Sequence, residues 1–206
     1  MLRSYEILSM FNAFGSCMLV ALTVSATEPV LKVGDVAPVI ECLDADGQTW
    51  NSKSLIGKQM LVVFFYPSDF ASCCTRQATL YQQQLSELDK AGVAVVGLSG
   101  DQVRTHRLFK TTHKLNFPLL ADERGIVARK FGVPLRTGGK AVVKDLQGHE
   151  VHDSSGNAIH LERKFTAARW TFVIDKEGRI ANIVTSASPL YDSQESLETV
   201  QLLASK

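Results

Sequence analysis

Phe64-Phe65-Tyr66-Pro67-Ser68-Asp69-Phe70-Ala71-Ser72-Cys73-Cys74-Thr75-Arg76-Gln77 joins two kinds of hydrophobic periodicity, and the change between them decides the fold. Upstream, Met60 to Tyr66 is an uninterrupted apolar run, suited to a strand covered on both faces, and it stops at Pro67. Downstream, Ala78, Tyr81, Leu85 and Leu88 recur at three- and four-residue steps, which predicts a helix from Thr75 that closes at Gly92. Cys74 then falls in the first turn of that helix. Unpaired backbone N–H groups and the positive end of the helix dipole gather there, so a thiol at that place tends toward thiolate, which is a nucleophile.

On the C-terminal side, Val93 to Ser99 is a valine-rich run that reads as a strand parallel to the first, because a helix lies between them in a right-handed crossover. Gly100-Asp101 is expected to cap a helix running to about His113. His106 lies on its inner face between Val103 and Phe109. It reads as a hydrogen-bonded structural histidine, with a functional one as the other reading, since nothing at metal-ligand spacing accompanies it. Phe117 to Asp122 is a short extended piece and Gly125 to Phe131 a short helix. Pro134 to Ala168 breaks the rhythm: turn signals at Gly138-Gly139, Gln147-Gly148 and Ser154 to Asn157 predict one or two excursion hairpins, with Arg163-Lys164 as a solvated edge. Arg169 to Asp175 and Arg179 to Val184, joined at Lys176-Glu177-Gly178, predict an antiparallel pair, and Ser193 to Ala204 a closing helix.

On the N-terminal side, Val39 to Leu43 and Gln48 to Trp50 flank Asp44-Ala45-Asp46-Gly47 as a hairpin. Cys42, in its first arm, reads as a small buried hydrophobe. Ser52 to Ile56 reads as a helical turn. Together the elements predict an α/β, thioredoxin-like fold: a central mixed sheet flanked by helices, with an extra hairpin excursion (134–168) before the last two strands.

Composition bounds the function classes. The 206 residues are 45% hydrophobic, enough for one core, so 27–206 is expected to form a single domain. With 22 basic against 21 acidic residues there is no charge excess to attract nucleic acid or an anionic membrane. Residues 1–26 differ: Arg3, an apolar stretch from Phe11 to Val24, and small residues at Val24-Ser25-Ala26 predict an export signal and a periplasmic or extracellular mature protein starting at Thr27. A membrane anchor and an amphipathic extension are the alternative readings of that segment, and Cys17 resembles a lipoprotein cysteine only weakly. Cleavage would leave Cys42, Cys73 and Cys74, an odd count, so at least one thiol is left over for reaction or for a partner.

The residues also carry a family resemblance. Tyr66-Pro67 ahead of Cys74-Thr75, then Asp101, His106 to Phe109, Phe117 to Asp122, and Arg169 to Asp175 with Gly178, resemble the peroxiredoxins, in particular the Q-type or bacterioferritin-comigratory branch. The resemblance runs from Val33 to about Ala204 in one order; the excursion is longer than that branch leads one to expect. It implies that Cys74 is the peroxidatic cysteine, which attacks the O–O bond of a hydroperoxide and becomes a sulfenic acid. It implies further that Arg169 holds the thiolate and that Pro67 shields the approach. A fixed cation suits that task, because the arginine charge cannot be lost and its planar fork can hold both sulfur and a peroxide oxygen. Gln77 is a candidate to hold Arg169, or else an exposed helix glutamine.

Two positions depart from the family pattern. The Thr or Ser three residues before the reactive cysteine is Ala71 here, with adjacent Ser72 as a candidate substitute for substrate binding. The resolving thiol that the Q-type branch often carries five residues on is Thr79. Cys73 and Cys74 are neighbours, which ordinary disulfide geometry does not favour. These readings converge on an exported thiol peroxidase acting on hydrogen peroxide or organic hydroperoxides with one protein cysteine. Its reductant would be an external thiol, either a thioredoxin-like protein or a small molecule. No metal or organic cofactor is implied, no nucleic-acid partner is expected, and the chain would be a monomer or dimer. Two rivals stand beside this: a thiol–disulfide oxidoreductase, which wants a Cys-x-x-Cys that is absent, and a binding or scaffold protein with a decayed peroxidase site, for which Ala71 argues.

Overall fold

The computed structural model describes residues 31–143, 145, 148–152 and 155–204; the expected export segment 1–26 lies outside them. In chain order the elements are β1 (Glu41–Asp44), β2 (Thr49–Asn51), a 3-10 turn (Ser52–Ser54), β3 (Met60–Phe65), α1 (Ser72–Lys90), β4 (Val93–Ser99), α2 (Val103–His113), β5 (Leu119–Ala121), α3 (Ile126–Lys130), β6 (Leu135–Val142), β7 (His160–Ala167), β8 (Trp170–Ile174), β9 (Ile180–Thr185) and α4 (Asp192–Ala204). One sheet runs β2-β1-β5-β4-β3-β8-β9 and β6-β7 form a separate two-stranded sheet, as expected of a thioredoxin-like sandwich with an added hairpin.

Alternation along β3 splits the core into two layers. Met60, Val62, Phe64 and Tyr66 pack with Ala78, Tyr81 and Leu88 of α1, Phe109 of α2 and Leu197 and Val200 of α4. Leu61, Val63 and Phe65 face the other way, onto Val127 of α3, Phe131, Phe172 of β8 and Ile180. Burying a side chain of the size of Phe64 contributes about 1.5–3 kcal/mol, so the strand that leads into the cysteine loop is held from both sides. Gly97 in β4 makes room for this packing: a Cβ there would stand 2.7 Å from Phe64 Cζ and 2.9 Å from Leu119 Cδ2.

Register brings distant residues to one end of the sheet. β4 lies parallel to β3, Met60 opposite Val93, while β8 runs antiparallel with Trp170 opposite Phe65. Arg169, just before β8, is therefore placed where the chain leaves β3 for the cysteines.

The excursion pairs β6 with β7 from Leu135↔Ala167 to Val142↔His160. Beyond that ladder Val151 N–H donates to Val143 O at 2.9 Å and Ile159 N–H donates to Val151 O at 2.9 Å, with an isolated bridge His152↔Ala158. The expectation of a solvated Arg163 is overturned: Leu161, Arg163, Phe165 and Ala167 point inward between exposed His160, Glu162 and Lys164. Arg163 Nε pairs with Asp101 Oδ1 at 2.9 Å, both side chains almost wholly buried. Asp101 does not cap α2 either. The N-cap is Gln102, without a side-chain cap bond, and Asp101 is used elsewhere.

Candidate active site

A short loop, Tyr66 to Ala71, carries the chain from β3 into α1, and buried charge shapes it. Asp101 Oδ2 accepts the backbone N–H of Asp69 at 2.8 Å and the Ser99 hydroxyl at 2.8 Å. Asp69 Oδ1 accepts the Tyr66 hydroxyl at 2.7 Å, and its Oδ2 pairs with His106 Nδ1 at 2.8 Å. Burial works against a charged His106, but the Asp69 carboxylate and the hydrogen bond with it outweigh that and raise its pKa. His106 Nε2 lies 3.2 Å from the Leu120 carbonyl, so both ring nitrogens face acceptors, which suits the imidazolium. His106 is structural, one of its two readings from the sequence. The same loop holds Phe70 at φ 59°, a conformation that bulky residues avoid, with its ring against Phe109 at 5.1 Å between centroids.

α1 begins at Ser72, earlier than the apolar stripe suggests, so Ser72, Cys73 and Cys74 are its first three residues. No acidic side chain occupies that first turn, and the N-cap, Ala71, offers no side-chain bond. The positive helix end is left open to an anion. Arg169 adds a full charge: its Nη2 donates to Cys74 Sγ at 3.2 Å and to Cys73 Sγ at 3.3 Å. The two sulfurs are 4.0 Å apart, Cys74 buried and Cys73 exposed.

The two thiols therefore titrate as one unit. A hydrogen bond from the Cys74 thiol draws Cys73 down to about 5, against the cost of burial and with the Arg169 charge in support. That same bond, together with burial, pushes Cys74 up. Through the neutral range the pair holds one negative charge and one proton.

Behind the guanidinium stands a second tier. Arg169 Nη1 donates to Gln77 Oε1, and Gln77 Nε2 donates to Asp192 Oδ2 at 2.6 Å. Asp192 Oδ2 also accepts from Tyr81 Oη at 2.8 Å and Thr171 Oγ1 at 2.9 Å. An ionised carboxylate only accepts, so Asp192 fixes which way the Gln77 amide points and leaves its oxygen facing Arg169. Gln77 is fully buried, so the reading of an exposed helix glutamine is set aside. Sequence reasoning misses Asp192; 115 residues separate it from Gln77 and no local pattern marks it.

Pro67 is half-buried in the loop, and Ser72 is exposed beside Ala71. A groove of about 1140 Å³ opens there between α1 and the excursion, lined by Phe70, Ala71, Ser72, Thr75, Thr79 and Leu161 among others. Neither cysteine nor Arg169 lines it, so the groove neighbours the reacting sulfurs without enclosing them. Cys42 lies on β1, which pairs with β2 and β5 on the other side of the sheet from β8. Among the described residues no group of three or more His, Cys, Asp or Glu gathers as a metal site.

The model of the AhpC/TSA family matches residues 33–183. A chloroplastic peroxiredoxin Q of Oryza sativa subsp. japonica is 39% identical over 101 residues, 49% of this chain and 46% of its own length. The chain thus spans about half the length of the first curated relatives it matches. A bcp-named relative from Coxiella burnetii is 31% identical over 153 residues, 74% of this chain and 87% of its own. Among solved structures, peroxidoxin BcpB of Mycobacterium tuberculosis superposes with a TM-score of 0.67 at 26% identity, covering 84% of this chain and 98% of that one. Peroxiredoxin Q of Xanthomonas campestris gives 0.65 at 22% identity over 86% and 99%, a likeness of fold. With its sheet, its cysteine-bearing helix start and the match over residues 33–183, the chain belongs to the AhpC/TSA family of peroxiredoxins, on the side of peroxiredoxin Q and bcp.

Proposed function

We propose that the chain is a thiol peroxidase that reduces hydrogen peroxide or organic hydroperoxides through a sulfenic acid on Cys74. The observation that carries this reading is the guanidinium of Arg169 donating to both sulfurs at an uncapped helix start. Such a donor pair stabilises the thiolate before reaction and the charge that moves onto oxygen as the O–O bond breaks. Cys74 is preferred as the attacking sulfur because it stands seven residues after Pro67 and is followed by Thr75, the family order. Its burial also keeps bulk water from the reacting atoms.

The mechanism uses one protein cysteine for the oxidation, with an external thiol returning the sulfenic acid to the resting state. Thr79 stands where a resolving thiol would be, and Cys42 lies on a distant strand. The export reading of residues 1–26 belongs to the same proposal, and it makes the reductant a thiol of the periplasm or the extracellular space. Peroxide consumption by the purified chain with a small thiol tests the activity, and trapping of sulfenic acid followed by peptide mass spectrometry locates it. A chain that reduces protein disulfides but no hydroperoxide is an oxidoreductase, and one that does neither is a scaffold; either result defeats the proposal. An oxidised chain with a clean Cys42–Cys74 or Cys73–Cys74 disulfide defeats the one-cysteine part alone.

A further inference from the structure

Attack on a hydroperoxide creates two needs at once: a donor to the sulfur and a proton for the departing oxygen. Arg169 serves the first need but not the second, because a guanidinium does not give up its proton in a protein. The Tyr66 hydroxyl is committed to Asp69 and its pKa is raised by burial and by that carboxylate. Ala71 supplies only a methyl group where the family pattern has a hydroxyl. Cys73 remains. Its sulfur is 4.0 Å from that of Cys74, within reach of an S–H···S bond, and the same Arg169 Nη2 touches both. Cys73 is also exposed, so a substrate arriving from solvent meets it before it meets the buried neighbour.

We propose that Cys73 is a second catalytic residue, whose S–H hydrogen-bonds the attacking Cys74 sulfur and then protonates the alcohol leaving group. The inference rests on the peroxidase reading above. In the step, the Cys74 thiolate attacks the terminal oxygen of R–O–O–H, an S–O bond forms and the O–O bond breaks. The terminal oxygen keeps its hydrogen, so Cys74 becomes S–OH. The departing R–O⁻ takes the proton of Cys73 and leaves as R–OH, and Cys73 remains as a thiolate held by Arg169. Sulfur is oxidised by two electrons and the peroxide is reduced by two. The retained second proton of the pair supports this, since one S–H persists beside one thiolate through the neutral range. Either sulfur can be the donor across their 4.0 Å contact, so the alignment of the O–O bond, and not a fixed resting location of the proton, selects the attacker.

A proton donor matters in proportion to how poor the leaving group is, and the test exploits this. Sulfenic acid formation is measured by rapid mixing on the full chain with an alkyl hydroperoxide, whose alkoxide needs a proton, and with a peroxy acid, whose carboxylate does not. Cys73→Ala is expected to slow the alkyl hydroperoxide reaction on the order of a hundredfold and the peroxy acid reaction far less. Cys73→Ser, which keeps a donor, recovers part of the loss. In Cys73→Ala the thiolate midpoint read by ultraviolet absorbance moves up from that of the pair, because the donor is gone, and in Cys73→Ser it moves up less. Equal slowing with both oxidants, or no slowing, overturns the inference. So does activity in Cys74→Ser with sulfenic acid trapped on Cys73, which inverts the roles. A wild-type chain that neither oxidant converts to sulfenic acid instead defeats the peroxidase reading itself, and the inference with it.

Discussion

Cys42 and the Cys73–Cys74 pair belong to one fold and meet opposite physics. On β1, burial first and the Asp122 carboxylate second push Cys42 up to about 12, with Lys130 opposing weakly. At the start of α1, a neighbouring S–H, an arginine and an open helix end draw Cys73 down to about 5. Exposure alone does not explain the difference, since Cys42 is itself only half-buried. Burial raises both, and what separates them is the absence or presence of a donor aimed at the sulfur: Cys42 meets a carboxylate with only a weak opposing lysine, Cys73 a neighbouring S–H and an arginine. A thiol becomes reactive where donors and cations outweigh burial, and stays inert where burial and carboxylates prevail.

The sharpest way to break this contrast is to exchange its two ends. Cys74→Ser is expected to lower peroxide consumption by more than about a thousandfold, while Cys42→Ser leaves it unchanged. A coupled assay with a small thiol decides this, and equal losses in the two variants would erase the distinction. Next in size is the cation. Arg169→Leu removes the donor common to both sulfurs, and roughly a hundred- to thousandfold in rate is expected to go with it. The pH profile sharpens the point: in the wild type the rate falls as pH drops through about 5, where the thiolate takes up its proton, and is flat above. In Arg169→Leu that fall moves to higher pH, toward the range of an ordinary thiol.

A smaller and opposite effect is expected at Ala71, the uncapped start of α1. Ala71→Thr introduces a hydroxyl that can donate to charged sulfur, a bond of about 1.5–3 kcal/mol, or roughly ten- to a hundredfold in rate. The same hydroxyl can instead cap the helix, adding about 1 kcal/mol of stability. Stopped-flow oxidation and thermal melting together separate the two uses. If neither rate nor stability rises in a variant that keeps its fold, Ala71 is not the gap that the family pattern makes it. The smallest change is expected at the far end of the relay. Asp192→Asn keeps the shape but sets an amide among three donors and leaves the Gln77 amide free to turn, costing about 1–3 kcal/mol in denaturant unfolding. The rate should fall by less than about tenfold, because Arg169 keeps its charge and loses only its anchor. A D192N variant as stable as its parent would show that the relay holds nothing.

How legible each part is depends on whether its cause is local. The apolar run of β3, the valines of β4 and the stripe of α1 are periodic over several residues, and their bounds lie close to expectation. Cys74 in a helix's first turn follows from the same periodicity, and Arg169 and Pro67 from the family order. Arg163 defeats a reading by charge although a signal exists: in His160-Leu161-Glu162-Arg163-Lys164-Phe165 it occupies the same face as Leu161 and Phe165, and strict alternation sends all three inward. There a period of two is a stronger cue than a pair of adjacent charges. Asp101 resembles a helix cap because a carboxylate before a helix usually is one, yet the buried N–H of Asp69 and the guanidinium of Arg163 claim it. Asp192 carries no signal at all, since its three donors come from α1 and β8 and meet only in space.

The lead ahead of β1 closes an otherwise open flank of the sheet. Strand β9 is an edge, and its first residue is met from outside: Gly34 N–H donates to Ile180 O at 2.8 Å, Ile180 N–H donates to Asp35 O at 2.9 Å, and Val36 bridges Arg179. A chain trimmed back to Val39 would bare those backbone groups beside Ile180 and offer them to another molecule's strand. A cut before Thr27, as the export reading has it, leaves the lead whole. On that proposal, loss of the export segment and cover of the β9 edge by Gly34, Asp35 and Val36 are compatible, because the covering residues all lie after Thr27.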